Sequence, residues 1–276
     1  MTAALASGVQ GRHARIIADL MERDRLLTRY GLLLLALFPI ALLLQPIDPR
    51  LLAGGVDPWV KPAKFLLSLG LFALTTAWLT GYIAPDARST PMLRANRLLI
   101  VGAATFELIY ICLQAALGQE SHFNRGTPVH AALYALMGIG ATLLVAAMLP
   151  IALQLLRRPA AGLRPIFVFA VAAGLVLTFV LGGGLGLYMG AQTSHAVGIE
   201  GQGLPLFGWN RLGGDLRVAH FLGIHAQQAI PLLGLLVRDL DGRTGWTLLI
   251  GGIALYVAIT LASFAQALSV LPALAM

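Results

Sequence analysis

The residues best suited to chemistry lie in one stretch of the chain, residues 208–228, with the sequence GWNRLGGDLRVAHFLGIHAQQ. It begins as a polar, glycine-rich segment and continues into an apolar helix. That helix carries a row of ionisable and amide side chains, which are Arg217, His220, His225, Gln227 and Gln228. Because such groups are costly inside an apolar segment, each of them is by default a candidate functional residue.

The histidines favour metal or redox chemistry. Five of the six, all except His13, fall in the outer half of the topology derived below. Neutral imidazole is the commonest metal ligand and can serve as an axial ligand of a b-type haem. We predict a haem b or a transition metal ion held by His122, His130 and His220. A haem would need His130 and His220 at equal depth on facing helices, while His122 and His130 match no zinc-ligand spacing.

The two histidines of residues 208–228 would lie on different faces of a regular helix. His220 and Gln227 are seven residues apart and share one face of a regular helix. His225 lies about 140° around from His220 and roughly 7–8 Å further along the axis. One regular helix therefore cannot offer both histidines to one ion. We also expect Pro231 to kink this helix.

A second candidate centre surrounds Glu107. Glu107, Tyr110 and Gln114 share one helical face, and Glu107 is near the middle of its apolar segment. A carboxylate at that depth is costly unless it is paired, protonated or bound to a cation. The helix rise places Glu107 roughly 15 Å, and His225 roughly 12 Å, below the outer ends of their helices. We therefore assign catalytic roles to Glu107 and His225 and predict that they are coupled; separate hydroxyl or carbonyl partners are the alternative.

Basic and aromatic residues could hold a cofactor or an anionic ligand. Lys61 and Lys64, the only lysines, share a helical face with Ser68 and Thr75. They either bind an anion near a helix N-terminus or extend to the membrane interface beside Trp59. Arg217 could pair with haem propionates or form a local ion pair with Asp215. The predicted cofactor-binding residues are Lys61, Lys64, Trp209, Arg217 and Gln227.

The glycines of the sequence FVLGGGLGLYMG indicate close helix packing. Gly182, Gly186 and Gly190 form a tandem small-xxx-small pattern. A phosphate-binding loop is disfavoured, because the run lies within an apolar segment and no Lys-Ser or Lys-Thr pair follows it.

The composition of the chain indicates the class of protein in which these residues are placed. The 276-residue chain is 58% hydrophobic and 11% charged, with a mean hydropathy of +0.82, whereas soluble domains carry about 25% charged residues. It is therefore a polytopic membrane protein. The net charge of +7 comes from basic residues that flank apolar runs, so nucleic-acid binding is disfavoured. Cys112 is the only cysteine, which excludes an intrachain disulfide and a CxxCH haem attachment.

The predicted fold is all-α, a single seven-helix transmembrane domain over residues 1–276. Residues 1–29 form an amphipathic helix on the membrane surface or, alternatively, a merely charged tail. The apolar segments are long enough, or nearly so, to span a bilayer. The predicted spans are 28–46, 63–84, 97–117, 128–156, 164–189, 216–237 and 245–270.

The distribution of basic residues predicts the orientation. With the N-terminus inside, 13 Lys and Arg residues lie on the inner side and 6 on the outer side. We predict a multi-pass protein of the cytoplasmic membrane with its C-terminus outside. The long outer loops, 45–64, 118–130 and about 190–217, hold most of the unusual residues. A loop as long as the third is usually functional or contains a short helix.

Two function classes follow. The first is a haem- or metal-dependent redox protein with a His/Glu/Lys site that opens outward. The alternative is a transporter or small-ligand-binding membrane protein with a buried Glu/His pocket, although no inverted repeat is visible. The expected partners are the lipid bilayer and a small or anionic ligand from the outer side. The sequence leaves open whether the chain is an enzyme and whether it forms a homo-oligomer.

Overall fold

The computed structural model of this chain is almost entirely helical. It describes residues 14–52, 55–201, 203, 204 and 207–270. Residues 1–13, which include His13 and part of the predicted tail helix, lie outside the described residues. In chain order the helices are α1 (14–23), α2 (Arg25–Leu44), α3 (Val60–Thr80), α4 (Pro91–Leu117), α5 (Pro128–Ala146), α6 (Met148–Arg157), α7 (Pro165–Leu177), α8 (Gly184–Ala191), α9 (Leu216–Ile224), α10 (Ala226–Val237) and α11 (Gly242–Leu268).

The helices confirm an all-α, polytopic membrane protein. In the described part of the chain, six helical stretches are long and apolar enough to cross a membrane. The helices α9 and α10 together make a seventh candidate, bent by 50°. The shorter elements are a 3-10 turn (Pro85–Ser89), a π-helical segment between α7 and α8 (Thr178–Gly183), and the antiparallel strands β1 (Ala196–Val197) and β2 (Gly214–Asp215).

Local sequence explains where several helices begin. The side chain of Thr90 accepts a hydrogen bond from the backbone of the first turn of α4, and Pro91 follows it. Thr127 and Pro128 begin α5 in the same way. Asp241 caps α11 by accepting from the amide of Thr244. Such caps satisfy backbone donors that have no partner inside the helix, and proline is favoured where its missing amide costs nothing.

The chain divides into two compact units, which we describe separately. The first contains the described residues up to 121 together with residues 158–161, and is built on the α2–α3 pair. A Cβ atom at Gly31 would lie 2.9 Å from the carbonyl oxygen of Gly70, so these helices approach closely. At one end of the unit, Arg97 forms an ion pair with the buried Asp24, the N-cap of α2.

The second unit contains residues 122–157 and the described residues from 162 to 270. Its central element is the continuous helical stretch formed by α7, the π-helical segment and α8. Helix α10 packs on α7, where a Cβ atom at Gly174 would lie 2.8 Å from the Pro231 ring. Helix α9 packs on the π-helical segment. The buried core beside α10 comprises Ile166, Ala170, Ile230, Val237 and Leu249.

Three details differ from the sequence-based predictions. The sixth span bends by 50° at His225, which the sequence did not indicate as a bend; Pro231 lies inside the unbroken helix α10, and a kink there stays a prediction. The fourth span consists of two helices that meet at Ala147. The third long loop, about residues 190–217, contains the two short strands; a short helix had been one of the two expectations for it.

Candidate functional site at a broken helix

The centre of the second unit is the break between α9 and α10. His225 stands between the two helices with φ −87° and ψ 2°, a sparsely occupied backbone region in which active-site residues are often found. The carbonyl of Leu222 would normally bond to an amide beyond this break. The hydroxyl of Tyr256, on α11, donates to that carbonyl at 2.5 Å.

A second irregular helix faces the break. The π-helical segment packs so closely on α9 that a Cβ atom at Gly223 would lie 2.6 Å from the Gly182 nitrogen. One turn away, a Cβ atom at Gly186 would lie 2.8 Å from Cε1 of His220. The predicted small-residue packing is therefore confirmed at Gly182 and Gly186. Gly190 contacts a different element, since its carbonyl accepts from the hydroxyl of Tyr134 on α5.

The hydrogen bond of His220 determines which of its two ring nitrogens carries a proton. Nδ1 of His220 lies 3.0 Å from the carbonyl oxygen of Gly182. Because a carbonyl only accepts, Nδ1 carries a proton, and in a neutral ring Nε2 then has a free lone pair. Metal-binding histidines are commonly oriented by such a bond from the second ring nitrogen. The geometry therefore suits a ligand at Nε2.

Gln227 contributes a buried polar atom beside the break. Its side chain is 1% exposed, and its Oε1 atom has no hydrogen-bond partner among the described residues. Gln227 occupies the first turn of α10, two residues after His225. The break at His225 interrupts the regular helix on which the predicted common face of His220 and Gln227 depends, so that common face stays a prediction.

An aromatic stack connects the preceding loop to the break. The His225 ring lies 4.2 Å from the Phe221 ring, measured between centroids. Phe221 in turn contacts Trp209, at 5.7 Å, and Phe207, at 6.1 Å. Trp209 and His225, both predicted site residues, are therefore joined through Phe221, which the sequence analysis did not single out. The sequence could have indicated Phe221, because it stands one helical turn before His225 and would lie on the same face of the helix.

Polar residues hold this loop in place. Asp215 is fully buried and accepts hydrogen bonds from the Arg217 guanidinium, the shortest at 2.6 Å, from the backbone amide of Arg217 at 2.9 Å, and from the backbone amide of Asn210 at 2.7 Å. Arg217 also donates to the Gly208 carbonyl at 2.5 Å. The local ion pair between Asp215 and Arg217 is thus confirmed. The sequence analysis missed Asn210, whose side chain bonds to the backbone of Ile199, Gly201 and Leu212.

The other predicted metal ligands lie elsewhere in this unit. His122 contacts the Tyr134 ring at 6.1 Å, and Nδ1 of His130 lies 2.7 Å from the Thr127 hydroxyl. The described residues contain no group of three His, Cys, Asp or Glu side chains that could hold one metal ion. The joint ligation of an ion by His122, His130 and His220 stays a prediction.

The first unit contains the predicted row on α4. Glu107, Tyr110 and Gln114 are 3%, 4% and 3% exposed, as expected for one buried helical face. The Tyr110 hydroxyl and the Gln114 Oε1 atom have no hydrogen-bond partner among the described residues. Glu107 belongs to the first unit and His225 to the second, so their coupling stays a prediction.

Lys61 and Lys64 lie in the first turns of α3 and are partly exposed. The loop before them is fixed by Asp48, which accepts from Arg50 at 2.8 and 2.6 Å and from the Trp59 indole at 2.8 Å. These bonds, the Arg50 bonds foremost, hold the pKa of the Asp48 carboxyl well below its usual range. Arg50 also donates to the Ala116 carbonyl at the end of α4.

No protein-family model matches this chain, and no curated protein or solved structure is significantly similar to it. The function is therefore argued from the site itself.

Proposed function

We propose that this protein is a membrane transporter or small-ligand-binding protein whose ligand binds at the break between α9 and α10. The observation that carries the proposal is the buried Oε1 atom of Gln227, which has no partner among the described residues. A buried acceptor without a partner costs about 1–3 kcal/mol. A ligand that donates a hydrogen bond to Gln227 would remove this cost.

The form of the helix supports the same function. Many membrane transporters bind substrates near the bilayer midplane at discontinuous helices, where helix ends offer polar groups. Here α9 ends and α10 begins on either side of His225. Arg217 is engaged by Asp215, so the break offers an imidazole and amides. That set of groups suits a small, uncharged polar ligand with hydrogen-bond donors.

The test compares Gln227→Leu with Gln192→Leu, a change of a partly exposed glutamine outside the break. Purified proteins are screened by thermal unfolding against amino acids, nucleosides and polyols, and compounds that stabilise the wild type are tested for uptake into proteoliposomes. We expect Gln227→Leu to lose ligand-induced stabilisation and uptake, and Gln192→Leu to retain both.

The unliganded proteins provide an independent measurement. Because leucine removes an unsatisfied acceptor, unliganded Gln227→Leu should unfold at the wild-type temperature or above it. If no compound stabilises the wild type and Gln227→Leu unfolds at a lower temperature, Gln227 serves the fold and the proposal is rejected.

The second candidate function is redox chemistry at a haem or a metal ion bound by His220. It is favoured by the bond from Nδ1 to Gly182, which leaves Nε2 as a ligand atom. We expect an absorption spectrum that changes on reduction, or a stoichiometric metal content, to be lost in His220→Ala. His13→Ala, a change in the predicted cytoplasmic tail, should retain it. A wild-type protein without a visible chromophore or bound metal would reject this function.

A further inference from the structure

The first unit has a groove between α1 and α3, with a volume of about 510 Å³. It is open to the surface on one side. The residues that line it are Arg15, Ile16, Asp19 and Leu20 from α1, and Leu74, Thr75 and Trp78 from α3.

The lining of the groove is mainly apolar and includes one arginine that forms no ion pair with the described residues. Most of the lining surface is apolar, and its apolar residues are Ile16, Leu20, Leu74 and Trp78. Asp19 forms an ion pair with Arg23 at 2.7 Å, whereas Arg15 makes no ion pair among the described residues. The groove is therefore apolar along its length and positively charged at Arg15.

The groove lies where a span meets the membrane surface. It includes the last turns of α3, a membrane-spanning helix that ends at Thr80. Trp78 and Tyr82 form an edge-to-face pair, and Arg23 lies 4.9 Å from the Tyr82 ring centroid. Tryptophan and tyrosine are enriched at this depth, where lipid headgroups meet acyl chains.

Helix α1 provides further support for contact with lipid. Ile16 and Ile17 are 58% and 38% exposed, and apolar residues on such a helix are expected to enter the headgroup region. Arg25 and Arg29, in the first turns of α2, are exposed and add positive charge nearby. Positive charge at this depth attracts anionic lipids, by about 1 kcal/mol for each basic residue.

We propose that this groove binds one anionic phospholipid of the surrounding membrane. Its acyl chain lies along Ile16, Leu20, Leu74 and Trp78, and its phosphate pairs with Arg15. The bound lipid contacts both α1 and α3 and thereby holds α1 against the end of the span. This site is independent of the helix break in the second unit.

The experiment uses quenching of Trp78 fluorescence in vesicles. Full-length protein is reconstituted with phosphatidylcholine that contains increasing fractions of either brominated phosphatidylglycerol or brominated phosphatidylcholine. The Trp78 signal is the difference between wild type and Trp78→Phe. We expect phosphatidylglycerol to quench it at about a fivefold lower fraction than phosphatidylcholine, as one basic residue predicts.

Matched variants assign the preference to the groove. Arg15→Gln should abolish the preference for phosphatidylglycerol, whereas Arg29→Gln, a change of an exposed arginine outside the groove, should leave most of it. Ile16→Asp should weaken quenching by both lipids, and Ile17→Asp, a change outside the lining, should not. Both isoleucines are exposed, so neither change removes a core side chain. Equal quenching of the wild type by the two lipids, or equal effects of Arg15→Gln and Arg29→Gln, would overturn the proposal.

Discussion

His220 and Tyr256 donate hydrogen bonds to backbone carbonyls at places where helices are irregular. His220 donates to Gly182 in the π-helical segment, and Tyr256 donates to Leu222 beside the helix break. Within a membrane there is no water to satisfy such carbonyls, so side chains from neighbouring helices must do so. These residues therefore stabilise the irregular backbone that presents the candidate site.

At this residue scale we expect Tyr256→Phe to lower the free energy of unfolding by about 1–3 kcal/mol, because the Leu222 carbonyl loses its donor. The measurement is reversible unfolding of the purified protein in mixed micelles. Tyr188→Phe is the control, since Tyr188 is 41% exposed and makes an edge contact with Phe264. Similar losses for both variants would show that the Leu222 bond is not what Tyr256 contributes.

Asp48 gives a prediction about pH. Its pKa is lower in the folded protein than in the unfolded chain because Arg50 and Trp59 donate to the carboxylate. Its contribution to stability is thus present above the unfolded-state pKa and lost as the pH falls through the folded-state pKa. We expect the Trp59 indole proton to stay bonded at pH values where an ordinary aspartate is already protonated.

The NMR signal of the Trp59 indole proton, followed during acid titration, tests this expectation. Asp48→Asn should shift that signal at neutral pH and remove its pH dependence. Asp86→Asn, which changes a different exposed ion pair with Arg158, should leave the Trp59 signal as in the wild type. A Trp59 signal that changes at the usual pKa of aspartate would contradict the prediction.

At the scale of elements, glycines determine how α9 and the π-helical segment pack. Gly182 and Gly223 lie against each other with no space for a side chain on either. In a membrane, where lipid is as apolar as the protein, close contact between small residues is a main source of helix association. The break at His225 comes two residues after this contact.

Gly223→Ala should therefore destabilise the second unit. The new Cβ atom would lie 2.6 Å from a backbone nitrogen, so the helices must move apart, at a cost of about 1–3 kcal/mol. The control is Gly184→Ala, where a Cβ atom would meet nothing within 4 Å. Thermal unfolding of the two variants measures the difference. An equal melting temperature for both would show that the close packing is not required.

The sequence predicted the structure well where a helix is regular and poorly where a helix is broken. The spans followed from apolar length, and the burial of Glu107, Tyr110 and Gln114 followed from the period of an uninterrupted α4. The shared face of His220 and Gln227 was predicted from the same period, but the helix breaks between them, so the period does not carry across. The break lies beside tertiary contacts that have no local signature, the Tyr256 bond to Leu222 and the approach of Gly223 to Gly182. Pro231, the residue that did suggest a bend, lies six residues further on.

At the scale of the whole molecule, the charges of the first unit favour the predicted orientation. The end of this unit where α2 and α4 begin holds eight arginines of the described residues, and the opposite end holds Arg50, Lys61 and Lys64. Contacts between Arg97 and Asp24, and between Arg23 and the Trp78 carbonyl, bring these chain segments to one end. By the positive-inside rule we therefore expect that end to face the cytoplasm.

The side on which the C-terminus lies depends on whether α9 and α10 cross the membrane or re-enter. They contain 9 and 12 residues, which is about 30 Å of helix and matches the hydrocarbon core even when bent. We therefore expect seven crossings and a reporter fused after Met276 to be active outside the cytoplasm.

A second measurement determines the orientation of the first unit independently. In a Cys112→Ser background, an impermeant maleimide added to intact cells should label Ile47→Cys and not Ser89→Cys. A cytoplasmic reporter with that labelling pattern would mean that α9 and α10 re-enter, and the reverse labelling would overturn the orientation itself.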